Sequence, residues 1–497
     1  MRIPQNRVIH IGLTEIGLDG IHNDNSYYMH CYCDRCVRLF RDWLNAMPDL
    51  EERTGLPNAD HVLPPPIREG QLRFTDPLQI AWMEFGTQNR LKTYRSFDET
   101  VKECDPKAPY ETNPAFPRRP GFKSRLSIDP AREATICDYV CAENGNLPRV
   151  EDGRIFSQAE AYLLADAGGY GVMHTSWVHG SKGSEPAGAP GLLWTGVAEE
   201  FSYHAALLGN NWLLRPTGDG GAFLGDNGDL RQAHADAIRF FRSLHRSIKP
   251  GQRRQWAELA LPIETDTLTL CADTDLTAVR ALIYWLLIKR IPVMFVFGGQ
   301  DVPDCVKTLV VCQQTCLPAK RLEEIVAFAK GDDRQVILAG SSGLCDEWNV
   351  ARNRSDWLRW RQSPGFVAGS GEPVDWCAEG AASGETVWAN ERCEREMTRL
   401  LEAASWSPDF RADLPGSVLV NTEQAEDGRL LIHLREQSGS GDAVNGCRIA
   451  LGASLAEGRT VTMHSPGREP LDLPASDEYP LNLEIPEFRY YALLLVH

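Results

Sequence analysis

The sequence predicts an α/β protein in three parts. These are a parallel α/β region over residues 1–250, a smaller doubly wound, flavodoxin-like α/β domain over 254–412, and a small antiparallel β domain over 413–497. In the first half, apolar runs closing on polar residues alternate with stretches of helical period, the pattern of βα units. A second set of strand and helix signals restarts after residue 250. Beyond 413, strand-like runs follow one another with turn residues between them, as in an antiparallel sheet.

Each element has its own signal. "LDGIHND" (18–24) is a short apolar run closing on polar residues, followed by a helix, "CDRCVRLFRDWLNAM", with Val37, Phe40, Leu44 and Met47 at helical spacing. A Pro-rich loop leads to a long amphipathic helix over about 76–104, opened by "TDPLQ" as an N-cap with proline just inside. "APYETNP" (108–114), "ICDYVCAENG" (136–145), "GYGVMHTSW" (169–177) and "NNWLLRP" (210–216) read as strands with polar ends, with helices near 156–167, 196–208 and 230–247. Catalytic residues in parallel folds gather at the C-terminal strand ends. Five such units do not close an eight-stranded barrel, and an open five-stranded sheet is the alternative.

In the second domain "AELALPI", "PVMFVFG", "TLVVCQQ" and "RQVILAG" read as strands, with helices at 276–290 and 319–330. In the third, "GSVLVNTE", "RLLIHLRE", "CRIALG", "RTVTMHS" and "YYALLLVH" are the strands.

The bulk numbers narrow the function. A formal net charge of -17 argues against nucleic-acid or anionic-membrane partners, which need a basic surface. Thirteen Trp and thirteen Tyr fit stacking on sugar faces, and equally fit core packing. The most apolar stretch, 276–297, is interrupted by Arg280, Lys289 and Arg290 and reads as a buried helix followed by a strand. The N-terminus lacks the apolar core of a signal peptide, and the cysteines are scattered singly apart from one cluster. The expected location is therefore cytoplasmic, unless a signal was lost with a missing N-terminus. No phosphate-binding loop or nucleophile elbow has the required spacing.

That cluster is Cys31, Cys33 and Cys36, in C-x-C-x-x-C spacing at the start of a helix. Three thiolates so placed can converge on one Zn²⁺, and a structural zinc takes a fourth ligand. His22 and His30 are nearby substitutes; thiols with no metal are the alternative.

The segment "IHNDNSYYMHCYCDRCVRLFRDWL" resembles the fourth-strand region of family 42 β-galactosidases, where an acidic strand end leads into a Cys-x-Cys-x-x-Cys motif and an F-R-x-W-L helix. "AELALPIETDTLTL", "PAKRLEEIVAFAKGDDRQVILAGSSGLCDEWN" and the closing β segment are similar to that family's trimerisation domain and C-terminal β domain. The resemblance implies a partial (β/α)8 TIM barrel of about five βα units, matching strands four to eight, with the first three units absent. It also implies one structural Zn²⁺ whose fourth ligand comes from the missing part, no organic cofactor, a carbohydrate substrate and a homotrimer.

Glycoside hydrolysis needs two carboxylates across the scissile bond, one of them protonated at working pH. The strand-end candidates are Asp24 and Glu143, with Glu111 and Asp138 behind them. The family's Asn-Glu pair at the fourth strand corresponds here to Asn25 and Ser26, so the usual acid/base is replaced by a hydroxyl. The expectation is Glu143 as proton donor and Asp24 as nucleophile or charge stabiliser. Against this, Asp24 could bond loop amides, and Glu143 could sit in a loop salt bridge. Asn25, Asn113, His174, Trp177 and Arg215 are candidates to bind sugar hydroxyls or form a stacking wall, although His174 also fits a core role. A catalytically inactive carbohydrate-binding or assembly protein is the competing function.

Overall fold

The computed structural model describes residues 5–23, 31–68, 70–112, 127–133, 135–144, 148–151, 154–176, 189–203, 228–249, 251–377, 388–474 and 478–497. Within them the chain is a mixed α/β protein with two parallel sheets and an antiparallel β layer.

In the first region, strands Ile21–Asn23, Tyr110–Thr112, Tyr139–Asn144 and Gly171–Ser176 lie side by side in chain order. Every pairing is parallel. The strand read at 210–216 falls outside the described residues.

The long helix Pro77–Cys104 crosses from the second helix to this sheet. Asp76 caps it, accepting the Leu78 N–H at 2.9 Å, and Pro77 occupies the first turn, where its missing N–H leaves no bond unmade. Its N-terminal half packs Ala81, Trp82 and Phe85 on Phe40 and Leu44 of helix Asp34–Asn45. Its C-terminal half packs Leu91, Tyr94, Phe97 and Val101 beneath Tyr110. Helix Ala189–Ser202 begins and ends about two turns before the 196–208 read from sequence. Pro190 and Gly191 obscure its start, and Gly191 lets the helix approach a loop, since a Cβ there would meet the Gly439 carbonyl oxygen at 2.1 Å.

The middle sheet has five parallel strands in the spatial order Phe366–Ala368, Gln335–Ala339, Thr308–Cys312, Leu259–Ile263, Val293–Phe297. Numbered along the chain this is 2-1-3-4-5, the flavodoxin-like doubly wound order. Helices Asp275–Ile288 and Glu391–Ala403 cover one face and Ala319–Ala329 the other. Sheets covered on both sides read as continuous apolar runs, and "VMFVF" and "TLVVC" are buried at every position. The first of these cores also takes in Val140, Tyr162 and Val172, so the first two regions share one hydrophobic interior.

The last region is layered around a six-stranded sheet ordered Leu471–Leu473, Val461–His464, Tyr491–Val496, Leu430–Glu436, Val418–Ala425, Arg253–Gln255. One face packs on helices Ala189–Ser202 and Gly228–Ile248 through Leu431, Tyr491, Leu493 and Leu495. The other packs on a three-stranded sheet formed by Phe410–Asp413, Cys447–Leu451 and Leu481–Ile485. Strand Leu430–Glu436 is thus buried at all its positions, including the polar His433 and Arg435. Among the described residues, no helix is long and apolar enough to cross a membrane.

Candidate functional site

One face of the four-stranded sheet packs against helices. Tyr110 packs on the long helix, and the register partners Val140 and Val172 are buried in the shared core. Because side chains alternate along a strand, Glu111 takes the opposite face. There Nδ1 of His22, its register partner, lies 3.0 Å from Oε2 of Glu111. The other oxygen, Oε1, is buried and takes no hydrogen bond among the described residues. A carboxylate held by an imidazole, with one oxygen left over, can accept a hydrogen bond from a ligand hydroxyl.

Glu111 pairs with Tyr139, and Glu143 lies four residues further along that strand. In the next pairing Glu143 is the register partner of Thr175, and Ala142 that of His174. Of the residues read from sequence as site candidates, Glu111 takes the face opposite Tyr110, and the backbones of Glu143 and His174 belong to the neighbouring strands. Asp24, Asn25, Asn113, Trp177 and Arg215 lie outside the described residues. Asp138 is a structural group: its Oδ2 accepts the Tyr110 N–H at 2.8 Å and the Lys102 ammonium at 2.7 Å. The His22–Glu111 pair was not read from sequence as a unit. Its signal was the alternation in "IHN" and "YET", but joining the two requires knowing that those strands are neighbours.

The cysteine cluster lies just beyond the first strand. Cys33 is the N-cap of helix Asp34–Asn45, and the sulfurs of Cys31, Cys33 and Cys36 all lie within 4.8 Å of one another. The Cys36 N–H, followed by the Cys31 and Cys36 side chains, bonds the Cys33 sulfur and pulls its thiol down from 9.0 to about 7. Three soft donors at a helix N-terminus suit a thiophilic divalent ion. They supply three ligands of a tetrahedral set. No fourth His, Cys, Asp or Glu joins the group among the described residues, and His22 is engaged by Glu111.

No family model matches the sequence, and no curated protein matches it. Solved structures do. A GH42 β-galactosidase from G. stearothermophilus superposes with a TM-score of 0.66 at 13% identity, covering 99% of this chain and 81% of that one. The chain has the fold of the GH42 β-galactosidases. The β-galactosidase from Bacillus circulans sp. alkalophilus gives the same TM-score, 0.66, at 14% identity, covering 99% of this chain and 81% of its own. An α-L-fucosidase isoenzyme from Paenibacillus thiaminolyticus matches with a TM-score of 0.59 at 12% identity, covering 99% and 79%. One fold thus carries enzymes named for two different sugars, so fold alone does not select the sugar.

Proposed function

We propose that this chain is a glycoside-hydrolase-type protein that binds glycosides of the β-galactoside kind at its first parallel sheet. In this reading, residues 1–250 are five βα units of a (β/α)8 barrel, 254–412 a trimerisation-type domain and 413–497 a C-terminal β domain. Glu143 is the proton donor and Asp24 the nucleophile or charge stabiliser. Asn25, Asn113, His174, Trp177 and Arg215 bind sugar around them. The observation that carries this is the similarity to GH42 β-galactosidases over 99% of the chain.

A screen of aryl β-galactosides and α-fucosides with wild type, Glu143→Gln and Asp24→Asn tests the reading. Loss of about 10²–10⁴-fold in turnover in each variant, with folding retained, is the expected result for an acid/base or nucleophile. Turnover untouched by either substitution would discard the assignment. A second reading, an inactive sugar-binding protein, is favoured by Ser26 standing where the related enzymes carry their acid. It requires wild type to bind galactosides without turning any over.

Cys31, Cys33 and Cys36 hold one structural Zn²⁺ in this proposal, ordering the loop that follows the first strand. Protein purified without chelator is expected to contain close to one equivalent of zinc by elemental analysis. Less than a few tenths of an equivalent would reject the site.

A further inference from the structure

A second set of thiols lies in the interior. Cys271, Cys316 and Cys345 are 7%, 1% and 7% exposed, and none is in a disulfide. Cys316 and Cys345 are partners in a parallel bridge, held by Cys345 N–H to the Thr315 carbonyl at 2.9 Å and Leu317 N–H to the Cys345 carbonyl at 3.1 Å. Paired strands lie about 4.8 Å apart, within the roughly 4.4–6.8 Å between α-carbons that a disulfide spans. The Cys316 side chain is in hydrogen-bond contact with both Cys271 and Cys345. It also donates to Asn349 Oδ1 at 3.3 Å, while Asn349 Nδ2 approaches the Cys271 sulfur at 3.8 Å. Among the described residues, the group compact enough for a metal ion is Cys31, Cys33 and Cys36, and not this one.

The surroundings give the cluster a structural position. Asn349 Nδ2 donates to the Phe74 carbonyl at 2.7 Å, and Arg73 forms an antiparallel bridge with Cys271. The three sulfurs therefore lie where residues 72–74 of the first region join the middle domain, a seam closed by Phe74 N–H to Leu270 and Ala272 N–H to the Leu72 carbonyl.

We propose that Cys316 is the shared sulfur of a convertible disulfide site, pairing with Cys345 or with Cys271, and that a small-molecule disulfide is its oxidant. The Cys316 side chain bonds Cys345 and pulls that thiol below its ordinary value, whereas Cys316, bonded to both neighbours, is raised. Cys345 as thiolate attacks one sulfur of the small disulfide, forming a mixed disulfide and releasing one small thiolate. Cys316 then gives up its proton and attacks the Cys345 sulfur, forming the Cys316–Cys345 bond and releasing the second small thiolate. Two protein thiols are oxidised, and one disulfide is reduced to two thiols. Attack of Cys271 on the Cys316 sulfur moves the bond to Cys271–Cys316 and frees Cys345.

The intact protein is incubated with excess oxidised glutathione, alkylated, digested without reduction and mapped by mass spectrometry, with circular dichroism to confirm folding. A peptide joining Cys316 to Cys345 is expected from wild type, with one joining Cys271 to Cys316 arising from it by exchange, and Cys345→Ser, which lacks the attacking thiolate, is expected to give neither. Oxidation at the partly exposed Cys104, which has no part in the proposed zinc site, shows that the reagent acted. Wild type that stays folded, oxidises at Cys104 and yields no link containing Cys316 overturns the proposal. So does a stable mixed disulfide at Cys345, or a Cys271–Cys345 link in Cys316→Ser. The wild-type map is decisive even if a variant fails to fold.

Discussion

Replacing Arg435 with methionine is expected to destabilise the protein by about 3–5 kcal/mol, because it strands a buried charge. Arg435 and Glu199 are both fully buried, with Nη1 2.9 Å from Oε2. Glu199 lies on helix Ala189–Ser202 and also accepts the Gln158 N–H at 2.7 Å and the Ser157 hydroxyl at 2.9 Å. The pair therefore joins three pieces: the loop before helix Ala159–Gly168, helix Ala189–Ser202, and the last sheet. With Arg435 gone, Glu199 keeps only neutral donors around a buried negative charge. The double variant Arg435→Met with Glu199→Gln should recover part of the loss. Urea unfolding of the three proteins measures this; a loss below about 1 kcal/mol in the single variant would mean that water reaches Glu199.

The second large effect is a pH dependence centred on Asp275. It is the first residue of helix Asp275–Ile288, and it accepts the Thr315 N–H at 2.8 Å, the Thr315 hydroxyl at 2.9 Å and the Thr274 hydroxyl at 3.0 Å. Burial outweighs these donors and pushes its carboxyl up from 3.8 to about 7. Below pH 4 the group is protonated whether the chain is folded or not, and it adds no pH dependence. Between pH 4 and 7 the unfolded chain loses the proton while the folded one keeps it, so stability falls as pH rises and levels off above 7. From pH 5 to 8 this is a fall of roughly 2–3 kcal/mol. Asp275→Asn should flatten the profile by that amount. Parallel profiles for wild type and variant over this interval would show that the folded carboxyl is ionised throughout.

How far the sequence could be read depended on the range of the signal. Helix Pro77–Cys104 was legible because its cap, its proline and its apolar face are all local. Four of the five middle-sheet strands were legible because burial on both faces writes itself as apolar runs, whereas the partly exposed edge strand Phe366–Ala368 was not read. Strands Arg253–Gln255, Phe410–Asp413, Leu471–Leu473 and Leu481–Ile485 were not read. Three of the four are only three or four residues long, and all exist because a distant partner fixes them. At the candidate site, Glu143 was singled out because a carboxylate ending an apolar strand is a local pattern. The His22–Glu111 contact depends on which strands are neighbours, and the Cys271–Cys316–Cys345 cluster on three loops meeting, which no spacing rule encodes.

The strand order of the last sheet bears on how the molecule is made. Tyr491–Val496 is an interior strand, flanked by Leu430–Glu436 and Val461–His464, while Arg253–Gln255 forms the far edge beside Val418–Ala425. A chain emerging from the ribosome can pair its middle domain from neighbouring βα units. It cannot finish this sheet until Val496 has been synthesised. Until then Leu430–Glu436 keeps an open apolar edge, and helices Ala189–Ser202 and Gly228–Ile248 lack Tyr491, Leu493 and Leu495 as packing partners. Long-range pairing of this kind slows folding and exposes strand edges to aggregation. Slow synthesis, which prolongs that interval, should therefore lower the soluble yield more than the stability of the finished protein would suggest.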